Sequence, residues 1–382
     1  MRLNYEIVRY KAEFKKQVVE LQTHLWSPSL ALNTAYFEWK YERNPYLDEP
    51  LVYLALYDGK VVGMRGFFGV QWEAGFPSQK FRGLYADDLV IAPGHRDRGL
   101  ISKIMTAAFK DLARGGHQYV FNLSGRQVTF LASLSMGWRS AGSVQVMRRQ
   151  CWRSVFQSRL QQFMKRLPLL WRYADRLVFP RSKNGRRSHF DTDRDRVKRH
   201  FKDAPWISIE SSPRCGAMAD VVERIGSDGR IRHVRDREYF EWRFQNPLSR
   251  YCFLFWEKSR FEGYLVVKES TSEFANKEVV NIVDLEATSA QVRADLLDAA
   301  LNLASKRDLM IWSTDMSGET NLLLDKNGFK PVKQAEGVNQ YLPAVLVRPI
   351  RTELLEGDWL LGGRRLLDLA SWDLRMLYSM NG

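Results

Sequence analysis

The residues best placed for chemistry lie in the run Asp88–Phe109, DLVIAPGHRDRGLISKIMTAAF. Asp88–Ile91 reads as the end of an apolar strand, and Pro93-Gly94 breaks it. Arg96–Leu100 is a short turn rich in base and glycine. From there Ile101, Ile104, Met105, Ala108 and Leu112 recur at helical spacing. A strand thus runs into a tight loop, and the loop opens a helix. Such a loop aims unpaired backbone N–H groups and the positive end of a helix at one point. That point suits phosphate oxygens. Gly99 lets the backbone approach closely, while Arg96 and Arg98 add positive charge.

The run VIAPGHRDRGLI resembles the acetyl-CoA signature of the GNAT superfamily, usually summarised as Arg/Gln-x-x-Gly-x-Gly/Ala. Arg96 and Gly99 match it; Ile101 stands where a small residue is usual, and Asp97 where glycine is common. The resemblance implies that the backbone of Arg96, Asp97, Arg98, Gly99, Leu100 and Ile101 holds the pyrophosphate of acetyl-CoA or another acyl-CoA, the co-substrate. It further implies that Leu89, Val90 and Ile91 pair with the pantetheine arm. Gly137-Trp138, after the next helix, matches a second landmark of the family. Asn122 and Ser124 end the strand Gln118–Leu123, where the family's two central strands splay apart. The resemblance implies that they meet the cofactor arm or the acceptor there; a loop-capping role fits them equally well. The whole arrangement resembles tandem-GNAT proteins of bacterial envelope or polysaccharide clusters.

Acyl transfer to an amine requires that the amine lose a proton before it attacks. The strand ahead of the loop offers Tyr85, Asp87 and Asp88. Alternation puts Tyr85 and Asp87 on one face with Leu89, and Asp88 on the other. Asp87 is the preferred base, its plainer alternatives being a surface acid or a partner for Arg82. Tyr85 stands nearest the family's usual base, yet a phenol with a pKa near 10 is a poor base at neutral pH. Asp88 recurs as Asp284 in a second copy described below, which favours a folding role. The place of the family's late tyrosine acid falls at about Ser133, leaving Tyr119 as a distant candidate. Neither a Ser-centred nucleophile elbow nor a Cys-His pair is evident, so direct transfer is predicted.

These groups must be positioned by a mixed fold, and the sequence contains that fold's pattern twice. YFEWKYERNP at 36–45 and YFEWRFQNP at 239–247 share Tyr, Phe, Glu, Trp, Asn and Pro. A strand, a turn and a strand follow each copy: Leu51–Tyr57 and Val61–Val70 in the first, Tyr251–Trp256 and Phe261–Lys268 in the second. Tyr85–Ile91 then matches Ile282–Glu286, and a Gly-aromatic pair, Gly137-Trp138 or Gly328-Phe329, closes each copy. The prediction is an α/β (α+β) chain of two tandem GNAT-like domains, each a mixed central sheet flanked by helices. Residues 1–150 form the domain with the acyl-CoA loop, 151–199 a basic helical and polar linker, 200–345 a degenerate copy, and 346–382 a helical tail. In the second copy Ala287–Ala304 has no glycine with which to build the loop, so it shapes the acceptor site or supports the fold. The YFEW segments read as packing, with Glu38 within reach of an acceptor amine.

The net charge of +14 over 382 residues suggests nucleic acid until its distribution is examined. Between Gln145 and His200 stand sixteen Lys or Arg against four Asp, which leaves only +2 for the rest. No specific nucleic-acid partner is therefore expected. Trp and Leu at helical spacing among the arginines of Cys151–Phe179 suit either an interdomain helix or the surface of an anionic membrane. The three cysteines and six histidines show no ligand spacing, so no metal is predicted. No signal peptide or spanning segment is evident, and a cytoplasmic location, peripheral at the inner membrane face if that helix binds lipid, fits best. The expected activity is transfer of an acetyl or other acyl group from coenzyme A to an amine on a sugar or small metabolite, by a monomer or dimer. Two alternatives stand beside it: the same fold with a long acyl-CoA or aminoacyl-tRNA donor, and a non-catalytic protein of the membrane surface.

Overall fold

The computed structural model describes residues 4–151, 205–272, 277–313, 317–332, 340–351 and 355–379. The chain begins with β1 (Glu6–Arg9), α1 (Lys15–Leu21), α2 (Leu30–Phe37) and β2 (Leu51–Tyr57). A hairpin of β3 (Lys60–Ala74) and β4 (Gln79–Ile91) follows, then α3 (Leu100–Arg114), β5 (Tyr119–Arg126) and α4 (Gln127–Ser135). Two short strands come next, β6 (Arg139–Ser143) and β7 (Val146–Arg149). Beyond residue 204 lie β8 (Ile207–Glu210), α5 (Cys215–Ile225), β9 (Arg232–His233) and α6 (Arg237–Arg243). A second series of strands and helices is β10 (Tyr251–Glu257), β11 (Phe261–Ser272), β12 (Lys277–Ala287), α7 (Ala290–Leu303) and β13 (Asp308–Trp312). It continues with α8 (Gly318–Lys326), β14 (Lys330–Pro331) and β15 (Gln340–Pro349).

Local sequence accounts for the elements nearest the site. β2, LVYLALY, is buried along nearly its whole length, as a strand covered on both faces should be. Asp58 and Gly59 join it to β3 with φ of 48° and 72°, the paired positive values of a primed hairpin turn. Helix α3 buries Leu100, Ile104, Met105, Ala108 and Leu112, the stripe expected from their spacing.

The chain divides into two compact units. Unit 1 comprises Met1–Gln145, Arg214–Arg250 and Gln334–Leu374. Its sheet runs β1-β2-β3-β4-β5-β15-β6, with β9 added to β3. Among the described residues β4 and β5 are its parallel pair, joined through α3. One face packs α3 against Leu51, Tyr53, Phe67, Leu84, Ala86, Val120 and Trp138. The other is aromatic: Phe68, Trp72, Tyr85 and Phe121 form a contiguous layer there with His233.

Unit 2 comprises Val146–Pro213, Tyr251–Lys333 and Arg375–Gly382. Its sheet runs β14-β7-β13-β12-β11-β10-β8, and its one parallel pair, β12 and β13, is joined through α7. The succession β10-β11-β12-α7-β13 repeats β2-β3-β4-α3-β5. The protein is thus a mixed α/β structure with two large mixed sheets flanked by helices, the fold class expected.

The chain is partitioned differently from the expected 1–150, 151–199, 200–345 and 346–382. Strand β7 pairs with β13 in the second sheet, and β15, which straddles residue 345, lies between β5 and β6 in the first. Residues 214–250, with the second YFEW segment, belong to unit 1. The physical reason is that alternation marks a segment as a strand without specifying which edge it will pair with. The tail also differs. Residues 355–379 form short 3₁₀ turns and a small hairpin of Leu360–Leu361 with Arg364–Arg365, not a helix. Gly362 and Gly363, with φ of 55° and 75°, make that turn and interrupt the helical spacing around them.

Apart from Cys151, the expected basic helix at 151–179 and the polar stretch after it lie outside the described residues. Among the described residues no helix is long and apolar enough to cross a membrane.

Candidate functional site

A bulge in β4 organises the site. Asp87 faces Gly66 on β3 and Val90 faces Met64, so Asp88 and Leu89 together oppose the single residue Arg65. Asp88 takes φ 51°, which is unusual for a residue with a side chain. The extra residue inverts the alternation: Leu84 and Ala86 face α3 before the bulge, and Ile91 does so after it. Asp88 is therefore on the same side as Asp87, and Leu89 on the α3 side. This corrects the simple alternation that separated the two carboxylates and placed Leu89 beside Tyr85 and Asp87.

Ahead of the bulge β4 and β5 part. Their parallel ladder consists of Leu84 opposite Val120 and Tyr85 opposite Phe121, although the strands run on to Ile91 and Arg126. Asn122 sits where the ladder ends and donates from Nδ2 to the carbonyl of Ala86 at 2.6 Å. Its Oδ1 is buried and accepts no hydrogen bond. The side chain thus bridges the two strands at the start of the cleft and leaves an acceptor without a partner beside Ala86. Ser124 lies further along β5, opposite Ala344 of β15.

The loop after β4 turns through Pro93–His95, extends at Arg96, and is left-handed at Asp97 (φ 59°) and Gly99 (φ 68°). Alternating handedness of this kind makes a concavity of backbone N–H groups. Lys103 donates to the Gly99 carbonyl at 3.2 Å, the first bond of the helix. The amides of Asp97, Arg98, Gly99, Leu100, Ile101 and Ser102 have no acceptor among the described residues. Arg96 folds back to the Ile91 carbonyl at 3.3 Å, whereas Arg98 donates to the Tyr5 hydroxyl at 3.3 Å. Lys103 stands over the Tyr5 ring, adding charge beside the open amides.

The corresponding place in unit 2 is closed. Only Thr288 and Ser289 separate β12 from α7. There Ser289 caps the helix, accepting from the Val292 amide through its hydroxyl and from the Arg293 amide through its carbonyl.

On the aromatic side of the bulge both carboxylates converge on Lys40. Its Nζ lies 2.7 Å from Asp87 Oδ2 and 2.8 Å from Asp88 Oδ1. The Lys40 side chain is 0% exposed, and its ammonium lies 5.0 to 5.5 Å from the rings of Trp26, Tyr36, Tyr41 and Phe68. Burial alone would lower its pKa, but the two carboxylates outweigh that and hold it above the ordinary lysine value. Asp88 is fully buried and also accepts from Gln22 Nε2 and Trp26 Nε1. Burial raises its pKa, opposed by Lys40. Asp87, 29% exposed, keeps Oδ1 free of hydrogen bonds among the described residues, and its partner is Lys40 instead of Arg82.

The remaining candidates are occupied elsewhere. Tyr85 is buried in the aromatic layer, stacked on Phe68 with centroids 5.1 Å apart. Glu38 is taken up by Lys15 at 2.7 Å, which holds its carboxyl below the ordinary range. Tyr119 donates to the Leu360 carbonyl, and Ser133 to that of Thr129. The residue missed from sequence is Lys40. Its signal was the shared basic position after each YFEW, Lys40 in one copy and Arg243 in the other, both buried.

A bulged strand, a splayed parallel pair and an open helix start are joined in one continuous stretch of chain. Residues 17–129 match the Acetyltransferase (GNAT) family. The GNAT match contains the bulge, the cleft and the loop, and it lies wholly within unit 1. Solved structures resemble most of the chain. A GCN5-related N-acetyltransferase from Anabaena variabilis ATCC 29413 has 12% identity and a TM-score of 0.55, the match covering 91% of this chain and 73% of that one. One from Kribbella flavida has 11% identity and a TM-score of 0.53, covering 91% and 72%. Eis1 from Mycobacterium abscessus has 13% identity and a TM-score of 0.51, covering 91% and 74%. At these identities the likeness is one of fold. No curated protein matches the sequence.

Proposed function

We propose that unit 1 is an N-acyltransferase that moves an acetyl or other acyl group from coenzyme A directly to an amine acceptor, an amino sugar or small metabolite. The observation that carries this is the set of unpaired amides from Asp97 to Ser102 at the open end of the β4–β5 cleft. Converging N–H groups at a helix start hold a diphosphate without a metal or a lysine cage. The arm of the donor then lies along Leu89, Val90 and Ile91, and Asn122 Oδ1, beside Ala86 at the start of the cleft, is free to accept from the donor. Its thioester end reaches the bulge.

Asp87 is the group that receives the amine's proton. Its Oδ2 is held by Lys40 and its Oδ1 is free, so the carboxylate has one orientation and one open oxygen. The C–N bond forms as the C–S bond breaks, and coenzyme A leaves with its thiolate. Asp88, wholly enclosed by Gln22, Trp26 and Lys40, stabilises the bulge and takes no part in proton transfer. Unit 2 is then a second copy of the fold without a donor site, as its Ser289-capped helix supports. The test is release of free thiol from acetyl-CoA across a panel of amines. Activity should fall by about two orders of magnitude or more in Asp87→Asn, the usual scale for a lost general base. An Asp87→Asn variant as active as the natural chain would remove Asp87 from the mechanism.

A further inference from the structure

Arg65 stands opposite the bulge, and the proposed chemistry gives it no role. It lies on β3 between Gly63 and Phe67. A Cβ at Gly63 would touch Ile91 and Ile104, and Phe67 belongs to the core under α3, so Arg65 projects to the α3 face. The side chain is 3% exposed. Its Nε has no partner, and the guanidinium enters no hydrogen bond or ion pair among the described residues. Burial pushes its pKa down, against the pull of Asp87 and Asp88. Both of those carboxylates, however, give their bonds to Lys40 on the opposite face of the sheet.

A guanidinium carries five N–H donors in a fixed fork, and leaving even one of them, here Nε, buried and unsatisfied is unfavourable. An apolar side chain would pack beside Phe67 without that penalty. No acceptor for this fork stands among the described residues, and a bound ligand would supply one. On the acyl-CoA reading, which this step assumes, the donor's arm runs from the loop along Leu89–Ile91 and ends at the bulge. The residue opposite the bulge is Arg65. We propose that Arg65 binds an oxygen of the donor's acyl group and so makes the site selective for acylated over free coenzyme A. That oxygen belongs either to the thioester carbonyl or to a carboxylate at the far end of a dicarboxylic acyl chain.

Equilibrium binding of coenzyme A, acetyl-CoA and succinyl-CoA to the full chain and to Arg65→Met tests this. The natural chain should bind the acylated forms more tightly, and Arg65→Met should lose about tenfold or more on them while free coenzyme A is unchanged. Preference for succinyl-CoA identifies the distal carboxylate as the partner; equal binding of the two thioesters identifies the carbonyl. Arg65→Lys keeps the charge beside Asp87 and Asp88 but loses the fork, and it reads the same ratio should the methionine variant not fold. If coenzyme A binds and the substitutions weaken all three ligands alike, or none, the role of Arg65 is overturned and the acyl-CoA reading survives. If no form of coenzyme A binds the natural chain, both fall.

Discussion

Trp39 and Trp242 exchange hydrogen bonds. The Trp39 indole donates to the Trp242 carbonyl at 2.7 Å, and the Trp242 indole donates to the Trp39 carbonyl at 3.0 Å. Their rings stack with centroids 5.2 Å apart and planes 14° from parallel. The two YFEW segments thus meet as near-equivalents inside unit 1, each closing the other's polar groups. Because the two residues form one device, their losses should not add. Trp39→Ala and Trp242→Ala should each destabilise by about 3–5 kcal/mol. The double variant should lose less than the sum by about 1 kcal/mol or more. Urea unfolding of the three variants measures this, and strict additivity would show the two sites to be independent.

Lys40 is predicted to be indispensable to the fold at the bulge. Lys40→Met leaves Asp87 and Asp88 adjacent without their shared cation, and breaking a buried pair from one side costs about 3–5 kcal/mol. Lys40→Met combined with Asp88→Asn removes the fully buried of the two uncompensated charges and should recover a large part of that loss. A double variant no more stable than Lys40→Met, by thermal or urea unfolding, would mean that the aromatic cage and not the carboxylates accounts for the lysine.

His233 should make stability depend on pH. Burial, then Arg243 and Arg235, hold its pKa well below the ordinary value, so the folded chain keeps the ring neutral. The unfolded chain protonates near pH 6.5. The stabilisation this supplies is complete above that pH and is lost as the pH falls from there towards the folded value. The slope approaches about 1.4 kcal/mol per pH unit for one proton. Urea unfolding between pH 7.5 and 5.5 should show the decline, and His233→Phe should flatten it. A decline unchanged by His233→Phe would assign it to other groups.

Legibility from sequence followed how local each interaction is. The tight loop between strand and helix was readable because strand end, glycine and helix start lie within one short run from Leu89 to Leu112. The repeat was readable because aromatic side chains recur in fixed order at Tyr36 and Tyr239. The bulge was not: Asp88 adopts a positive φ without glycine or asparagine to mark it, held there by Gln22, Trp26 and Lys40 from far along the chain. The exchange of β7 and β15 was hidden for a similar reason, since pairing partners are chosen by tertiary packing. Asp87 could be singled out from sequence because it is near the loop. Lys40, its partner 2.7 Å away, was missed because nothing local joins residues 40 and 87.

The measurement that bears most directly on the account is calorimetric titration of coenzyme A into the full chain and into Gly99→Glu. Gly99 holds φ 68°, and a Cβ there would meet no other atom within 4 Å, so the substitution alters the loop and its charge without crowding the core. The natural chain should bind saturably, and Gly99→Glu, folded by near-ultraviolet circular dichroism, should lose about tenfold or more through strain and repulsion of the diphosphate. A natural chain that binds no coenzyme A, or a variant that binds it equally well, would contradict the assignment of the 97–102 amides to a diphosphate.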